Sequence, residues 1–402
     1  MFDLDRFISD HVTKRQSSMF LEDLQQNREK LQNKIQGKTV LVIGGAGSIG
    51  SSFIKAVLPY EPQTLMVVDL NENALTELTR ELRSSSSIPV PVDYVTYPMD
   101  YASGVFSKMF WARGGFDIVA NFSAHKHVRS EKDIYSIEAL LYNNVINAKK
   151  LLDLLSEFPP EAYFCVSTDK AANPVNIMGA SKRIMEDLIF SYSEKFPVKT
   201  ARFANVAFSN GSLPEGFLKR IEKQQPLSAP CDVKRYFVSP EESGQICLLS
   251  CILGESREIF FPKLEEGCMM SFDKIAVELL RQKGFEPLCC ASEEDALCKM
   301  ESRPIESAQY PVYFSQSDTS GEKPYEEFYT EDEKVNFHRF HSLGVVEGKI
   351  SGNIREIETW IQELEELFAG SGTKKEEVVT LLKNYLPEFE HVETGKNLDA
   401  KM

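Results

Sequence analysis

The segment that most restricts how this chain can fold is Gly44-Gly45-Ala46-Gly47-Ser48-Ile49-Gly50. It follows Thr39, Val40, Leu41, Val42 and Ile43, a continuous and largely β-branched run suited to a strand buried on both faces. A helix-like segment, 51–58, comes next. Backbone without side chains can approach a pyrophosphate at such a turn, and the free N–H groups and positive dipole end of the helix face the anion. Gly44, Gly47, Ser48, Ile49 and Gly50 are therefore candidate dinucleotide contacts. Asp69 lies nineteen residues after Gly50, at the end of the next strand, where a carboxylate can accept both adenosine ribose hydroxyls. An acidic group there repels a 2′-phosphate, which favours NAD over NADP as the cofactor. Asp100, ending the third strand, is a candidate acceptor for the adenine amino group; the alternative is a helix N-cap ahead of 103–113.

Strand-like and helix-like patterns then alternate. Strands are expected at 64–68, 92–96, 117–122, 162–166 and 199–203, and helices at 72–83, 103–113, 134–157 and 177–195. Such alternation predicts an α/β fold, a Rossmann-type doubly wound parallel sheet covered on both faces. Before it, residues 1–36 contain neither Gly nor Pro, and apolar residues recur at roughly helical spacing, which predicts an N-terminal helical arm over 1–37. After about residue 208, Pro214, Pro226, Pro230, Pro240, Pro262 and Pro287 break the alternation. The expected division is a helical arm (1–37), an NAD-binding Rossmann domain (38–208), a smaller and mainly substrate-binding C-terminal region (209–369), and a C-terminal helix and tail (370–402). Gly370-Ser371-Gly372-Thr373 reads as a hinge before a helix over 374–384.

Composition narrows the partners. The 402 residues carry 45 Lys plus Arg against 60 Asp plus Glu, a formal charge of -15, so a counterion-releasing basic face for nucleic acid is not expected. The longest charge-free stretch, 39–54, is shorter than the roughly 18 residues of a spanning helix and is broken by glycines, so no membrane span is expected. Residues 1–17 lack the apolar core of a secretory signal, and the expected location is cytoplasmic. The eight cysteines form no C-x-x-C pair, and the six histidines do not stand at ligand spacing from them, which disfavours zinc or any other metal.

A second motif carries the chemistry. Ser167-Thr168-Asp169-Lys170 follows a strand, and Met178-Gly179-Ala180-Ser181-Lys182 opens the next helix. Met178 and Lys182 are one turn apart and face the same way. Thr168, Asp169 and Lys170 offer a hydroxyl, a carboxyl acid and an amine. The amine acts as a base only when partly neutral, a state expected here from burial and from a cationic neighbour such as Lys126 or Lys182. The bland alternative is a strand-end turn with a Lys/Asp surface pair.

With Gly44–Gly50, these residues, Ser123-Ala124-His125-Lys126-His127-Val128, Arg202-Phe203-Ala204-Asn205-Val206, Arg235-Tyr236-Phe237 and Gly321-Glu322-Lys323-Pro324-Tyr325-Glu326-Glu327 resemble the nucleotide-sugar 4,6-dehydratases of polysaccharide biosynthesis. These form a branch of the extended short-chain dehydrogenase/reductases that acts on UDP-N-acetylglucosamine. The resemblance covers roughly residues 38–345. Short-chain dehydrogenases usually carry Tyr-x-x-x-Lys where this chain has Met178 and Lys182, so proton transfer has moved to another group or catalysis is lost.

The resemblance implies a redox-neutral dehydration: oxidation at C4 with bound NAD as hydride acceptor, loss of water across C5 and C6, and hydride return to C6. For such a reaction the residues themselves suggest that Thr168 holds the C4 oxygen, Asp169 protonates the C6 hydroxyl, Lys170 takes the C5 proton, Lys182 orients the nicotinamide ribose and Met178 shapes a dry wall. Asn121, Ser123 and Ala124 would touch the cofactor. His125, Lys126, Asn205, Arg235 and Glu322 would hold the UDP-sugar, while His127 is read as structural. Asn143 and Asn144 either steady the active-site helix or lie on its polar face. A homo-oligomer is implied. A UDP-sugar epimerase, a C5-inverting dehydratase and a non-catalytic NAD-binding protein remain as alternatives.

Overall fold

The computed structural model describes residues 2–127, 131–317, 325–348, 354–370 and 372–391. Its centre is a nine-stranded sheet. Strands β1 (Thr39–Ile43), β2 (Thr64–Asp69), β3 (Asp93–Pro98), β4 (Ile118–Asn121), β5 (Ala162–Thr168) and β6 (Val198–Phe203) are followed by β7 (Glu258–Pro262), β8 (Val335–Asn336) and β9 (Leu343–Glu347). Across the sheet they run β8-β9-β7-β6-β5-β4-β1-β2-β3. The seven from β7 to β3 are parallel, while β9 runs antiparallel to β7 and β8 antiparallel to β9. This is the doubly wound Rossmann-type fold expected from the alternation.

The apolar runs explain the order. Residues 40–43, 64–68 and 198–203 are buried without interruption, because helices cover both faces of these strands. The chain leaves β1 toward β2 and β3, then returns to the other side of β1 as β4. That reversal opens a crevice at the carboxyl ends of β1 and β4, where doubly wound sheets bind ligands.

A second, smaller layer stands over the crevice. Strands Leu227–Pro230, Glu286–Cys290 and Gln309–Ser315 form a parallel sheet with 309–315 in the middle. Its core joins Phe217, Leu227, Ile275, Leu279, Tyr310 and Val312 to Phe7, Ile8 and Val12 from the N-terminus. Phe20, Leu31 and Ile35 instead enter the core of the main sheet. Residues 4–35 therefore tie the two layers together. Within 209–369, β7 to β9 return to the main sheet, so both layers draw on that stretch.

Two features depart from the expected elements. The helix expected over 134–157 is interrupted by a π-helical turn at Tyr142–Ile146. A helix at Ile354–Ala369, which the sequence reading did not include, precedes the one at Lys375–Tyr385. The indole Nε1–H of Trp360 donates to the Leu381 carbonyl at 3.0 Å, joining the two, and the pair packs on the helix Ile177–Ser191. Among the described residues no helix is long and apolar enough to cross a membrane.

Candidate active site

The glycine loop has the shape its sequence requires. Gly44 sits at φ +70°, and a Cβ there would lie 2.7 Å from the Ser123 nitrogen. At Gly50 a Cβ would lie 2.4 Å from the Gly44 carbonyl oxygen, so only glycine lets the helix Ser48–Val57 start this close to β1. A Cβ on Gly47 would meet only the Gly44 oxygen at 3.4 Å, which leaves the outer side of the turn open to a ligand. The Asp69 carboxylate accepts from Ala46 N at 3.0 Å and from Asn71 N at 2.9 Å, and so stands beside the loop. Loop, helix terminus and carboxylate together fit a dinucleotide. The Ser48 hydroxyl accepts from Asn210 N at 2.8 Å.

Asp100 is exposed and accepts from Ala102 N, but it is not the helix N-cap. That role belongs to Ser103, whose hydroxyl accepts from Phe106 N. Met99 N donates to the Asp69 carbonyl at 3.1 Å, which brings the turn bearing Asp100 beside Asp69.

Beyond β4, Asn121 is buried and its Oδ1 accepts from Ser123 N. The π-helical turn turns Asn143 and Asn144 toward the same loop. Asn143 Oδ1 accepts from the Ser123 hydroxyl at 3.3 Å. Asn144 accepts from His125 N and donates to the His125 carbonyl and to Ser181 Oγ, at 2.9 to 3.0 Å. One buried amide thus fixes the 123–125 loop to the helix carrying Met178 and Lys182. Glu131, which the sequence did not single out, holds the start of that helix by accepting from Met178 N at 3.0 Å. Asn176 caps it through Gly179 N.

The crevice encloses a cavity of about 690 Å³. Ile49, Ala124, Lys126, His127, Thr168, Asp169, Lys170, Met178, Lys182, Asn205 and Arg235 all line it. The sequence-derived candidates from five separate segments therefore converge, and His127 faces the cavity with them. Met178 and Lys182 are both buried. Lys182 Nζ donates to the Val166 carbonyl at 3.0 Å, and burial lowers its pKa. Lys126 Nζ donates to the Asn210 carbonyl at 2.9 Å; its residue is exposed overall, yet the cavity walls desolvate the ammonium and lower its pKa. His125 is held through its backbone, and partial burial lowers its pKa. Glu322 lies outside the described residues, as do Val128 and Gly321, Lys323 and Pro324 of the motifs above. A larger cavity of about 1010 Å³, between residues 5–24 and the helices 48–57 and 240–253, contains none of these side chains.

At the end of β5, Asp169 Oδ1 accepts from Thr168 Oγ1 at 2.9 Å and from Lys170 Nζ at 3.1 Å. Asp169 is 4% exposed, so this is not a surface pair. Glu326 Oε1 lies 3.5 Å from Lys170 Nζ and 3.9 Å from the Arg235 guanidinium. The expectation of a cation beside Lys170 that lowers its pKa is corrected here. Burial does act to lower it, but the Asp169 and Glu326 carboxylates outweigh burial and the Arg235 charge, so the pKa is raised and the resting amine is protonated. Lys126 and Lys182 point elsewhere, to backbone carbonyls.

Behind the centre lies a second charge cluster. Arg202, fully buried, donates to Glu186 at 2.8 and 3.0 Å, to Glu333 at 2.7 and 2.8 Å, and to the Phe328 carbonyl at 3.0 Å. Glu186 also accepts from the Ser167 hydroxyl at 2.6 Å, and Arg183 reaches Glu186 and Glu333. Asn173 Nδ2 donates to Glu327 at 2.7 Å. These bonds fasten the segment 325–333, and with it Glu326, over Lys170.

The fold and this crevice define an α/β protein of doubly wound type whose glycine loop fits a dinucleotide. The chain belongs to the family described as polysaccharide biosynthesis protein, whose model matches residues 40–347. It is 31% identical over 326 residues to the uncharacterized membrane protein MJ1061 of Methanocaldococcus jannaschii, covering 79% of this chain and 88% of that one. It is 27% identical over 240 residues to a UDP-N-acetylglucosamine 4,6-dehydratase (inverting) of Campylobacter jejuni, covering 57% and 67%. Two further polysaccharide biosynthesis relatives are matched over only 55% and 42% of their own length. Among solved structures, Pen from Bacillus thuringiensis superposes with a TM-score of 0.64 at 20% identity, covering 88% of this chain and 98% of that one, a likeness of fold.

Proposed function

We propose that the protein is an NAD-dependent 4,6-dehydratase that converts UDP-N-acetylglucosamine to a UDP-4-keto-6-deoxy-N-acetylhexosamine. The observation that carries this reading is the Thr168–Asp169–Lys170 cluster on the cavity wall, centred on the buried Asp169 carboxylate and facing a site where Met178 replaces the usual phenol. The name of the Campylobacter relative supports the substrate. An epimerase needs acid–base chemistry at C4 alone and would leave the buried amine without a task.

Gly44, Gly47, Ile49, Gly50, Asp69 and Lys182 would hold NAD, which when bound supplies a hydride acceptor for C4 and a hydride donor for C6. Thr168 holds the C4 oxygen. Its existing bond to Asp169 Oδ1 gives the C4 hydroxyl proton a path to that carboxylate. Asp169 then protonates the departing C6 hydroxyl, and Lys170 removes the C5 proton made acidic by the 4-ketone. Arg235, buried at the cavity wall, suits bidentate contact with the diphosphate. The second layer, built on the strands Leu227–Pro230, Glu286–Cys290 and Gln309–Ser315, would cover the sugar.

Incubation with UDP-N-acetylglucosamine in deuterated water tests the proposal. The product is expected to weigh one water less, with deuterium at C5 read by NMR. Lys170→Met is expected to abolish C5 exchange while NAD binding persists; unchanged turnover in that variant would overturn the assignment.

A further inference from the structure

The proton count of the proposed reaction, on which this inference rests, exposes a gap. Before water can leave, the C4 hydroxyl proton and the C5 proton must both be accepted, and one proton must be delivered to the C6 hydroxyl. An ionised Asp169 accepts the first and delivers it to C6. The second needs a neutral Lys170, yet the ammonium lies between two carboxylates, at 3.1 Å from Asp169 and 3.5 Å from Glu326. Were its proton passed to Asp169, no acceptor would remain for the C4 hydroxyl. The Asp169–Lys170 pair alone therefore holds one proton too many.

We infer that Glu326 is a positioning residue that acts through Lys170, taking the surplus ammonium proton and holding it during turnover. Three observations support the assignment. Glu326 is 5% exposed and stands behind Lys170 rather than on the cavity wall, so its proton exchanges with the amine and not with the sugar. Its Oε1 is shared with Arg235, 3.9 Å away, which lines the cavity. The segment that carries it is fastened by Glu327 to Asn173, by the Phe328 carbonyl to Arg202 and by Glu333 to Arg202.

The charged groups facing the amine are Asp169, Glu326 and Arg235. With Lys170 they sum to zero, and transfer of the proton from Lys170 to Glu326 keeps that sum. The step breaks an N–H bond and forms an O–H bond. Lys170, now neutral, takes the C5 proton, and the resulting ammonium, whose protons exchange with solvent, delivers a proton to C5 when the hydride lost from C4 arrives at C6. The electrons balance within the sugar, water carries away the former C4 hydroxyl proton, and Glu326 returns its own proton to Lys170 at the end.

The test uses the full chain with bound NAD and UDP-N-acetylglucosamine. Glu326→Gln keeps shape and hydrogen bonding but cannot take a proton. Its kcat at pH 7 is expected to fall by about 10²-fold or more, with C5 deuterium exchange lost in step and KM nearly unchanged. Its kcat should then climb with pH, because hydroxide replaces the missing acceptor, while the wild-type profile shows no such recovery. Glu326→Asp should regain at least about tenfold over the glutamine variant, and it carries the test if the glutamine variant fails to bind NAD. Wild-type kcat in Glu326→Gln, a low kcat that does not rise with pH, or no gain in Glu326→Asp overturns the inference. Failure of the wild type itself to release water overturns the dehydratase reading and this inference together.

Discussion

Removing the Arg202 guanidinium tests how the active-site segment is held. Arg202 and Arg183 stand against Glu186 and Glu333, two charges of each sign, with Arg202 and Glu186 fully buried. Arg202→Met leaves two carboxylates facing one cation, and breaking a buried pair from one side costs about 3–5 kcal/mol. For a chain of 402 residues that lowers the melting temperature by about 4–6 °C. Arg202→Met with Glu186→Met instead leaves Arg183 against Glu333 at 3.3 Å, a balanced pair, and strands the Ser167 hydroxyl and the Phe328 carbonyl. The double variant should recover at least about 1 kcal/mol of the loss.

The sign with pH is also set. Burial alone would raise the Glu186 pKa, but Arg202, with Arg183 and Ser167, holds it below the usual value. Its stabilisation is present above the unfolded carboxylate pKa and is lost as pH falls through the lower folded value. Without Arg202 the burial effect dominates, so the deficit of the single variant should narrow on acidification. Urea unfolding at several pH values measures both effects, as a shift in midpoint at constant slope. A double variant less stable than Arg202→Met, or a deficit that widens in acid, would refute the charge-balance argument.

Other outcomes follow from single contacts. Gly50→Ala should weaken NAD binding by at least about tenfold in titration calorimetry, because the new methyl meets loop backbone at 2.4 and 2.8 Å and the turn must shift. Asn144→Ala removes the partner of the His125 backbone and of Ser181, and should cost about 1–3 kcal/mol in chemical unfolding. A loss under about 0.5 kcal/mol would mean that water replaces the amide.

Most of the Rossmann sheet was legible from local pattern. The buried run at 39–43, the glycine turn and the spacing to Asp69 are local, because a parallel strand, its turn and its helix must each satisfy their backbone within a few residues. The Ser167–Lys170 and Met178–Lys182 motifs were legible for the same reason, since one strand end and one helix turn place them. Other features depend on contacts between distant segments. The helix at 354–369 is fixed through Trp360, whose indole meets the Leu381 carbonyl. The π-helical turn at 142–146 has no local signal, and its sense emerges only when Asn143 and Asn144 meet the 123–125 loop. Glu131 looked like any acidic loop residue until its carboxylate met Met178 N.

The sequence by itself determined strands β1 to β6, the glycine loop and which side chains would gather at their ends, because periodicity and turn chemistry are properties of neighbours along the chain. The charge state of Lys170 was decided only by tertiary structure. Sequence offered cationic neighbours for it, but the fold supplied two carboxylates, one of them from a segment more than 150 residues away. Electrostatic energy depends on distance and burial through space, and neither can be read from order along the chain.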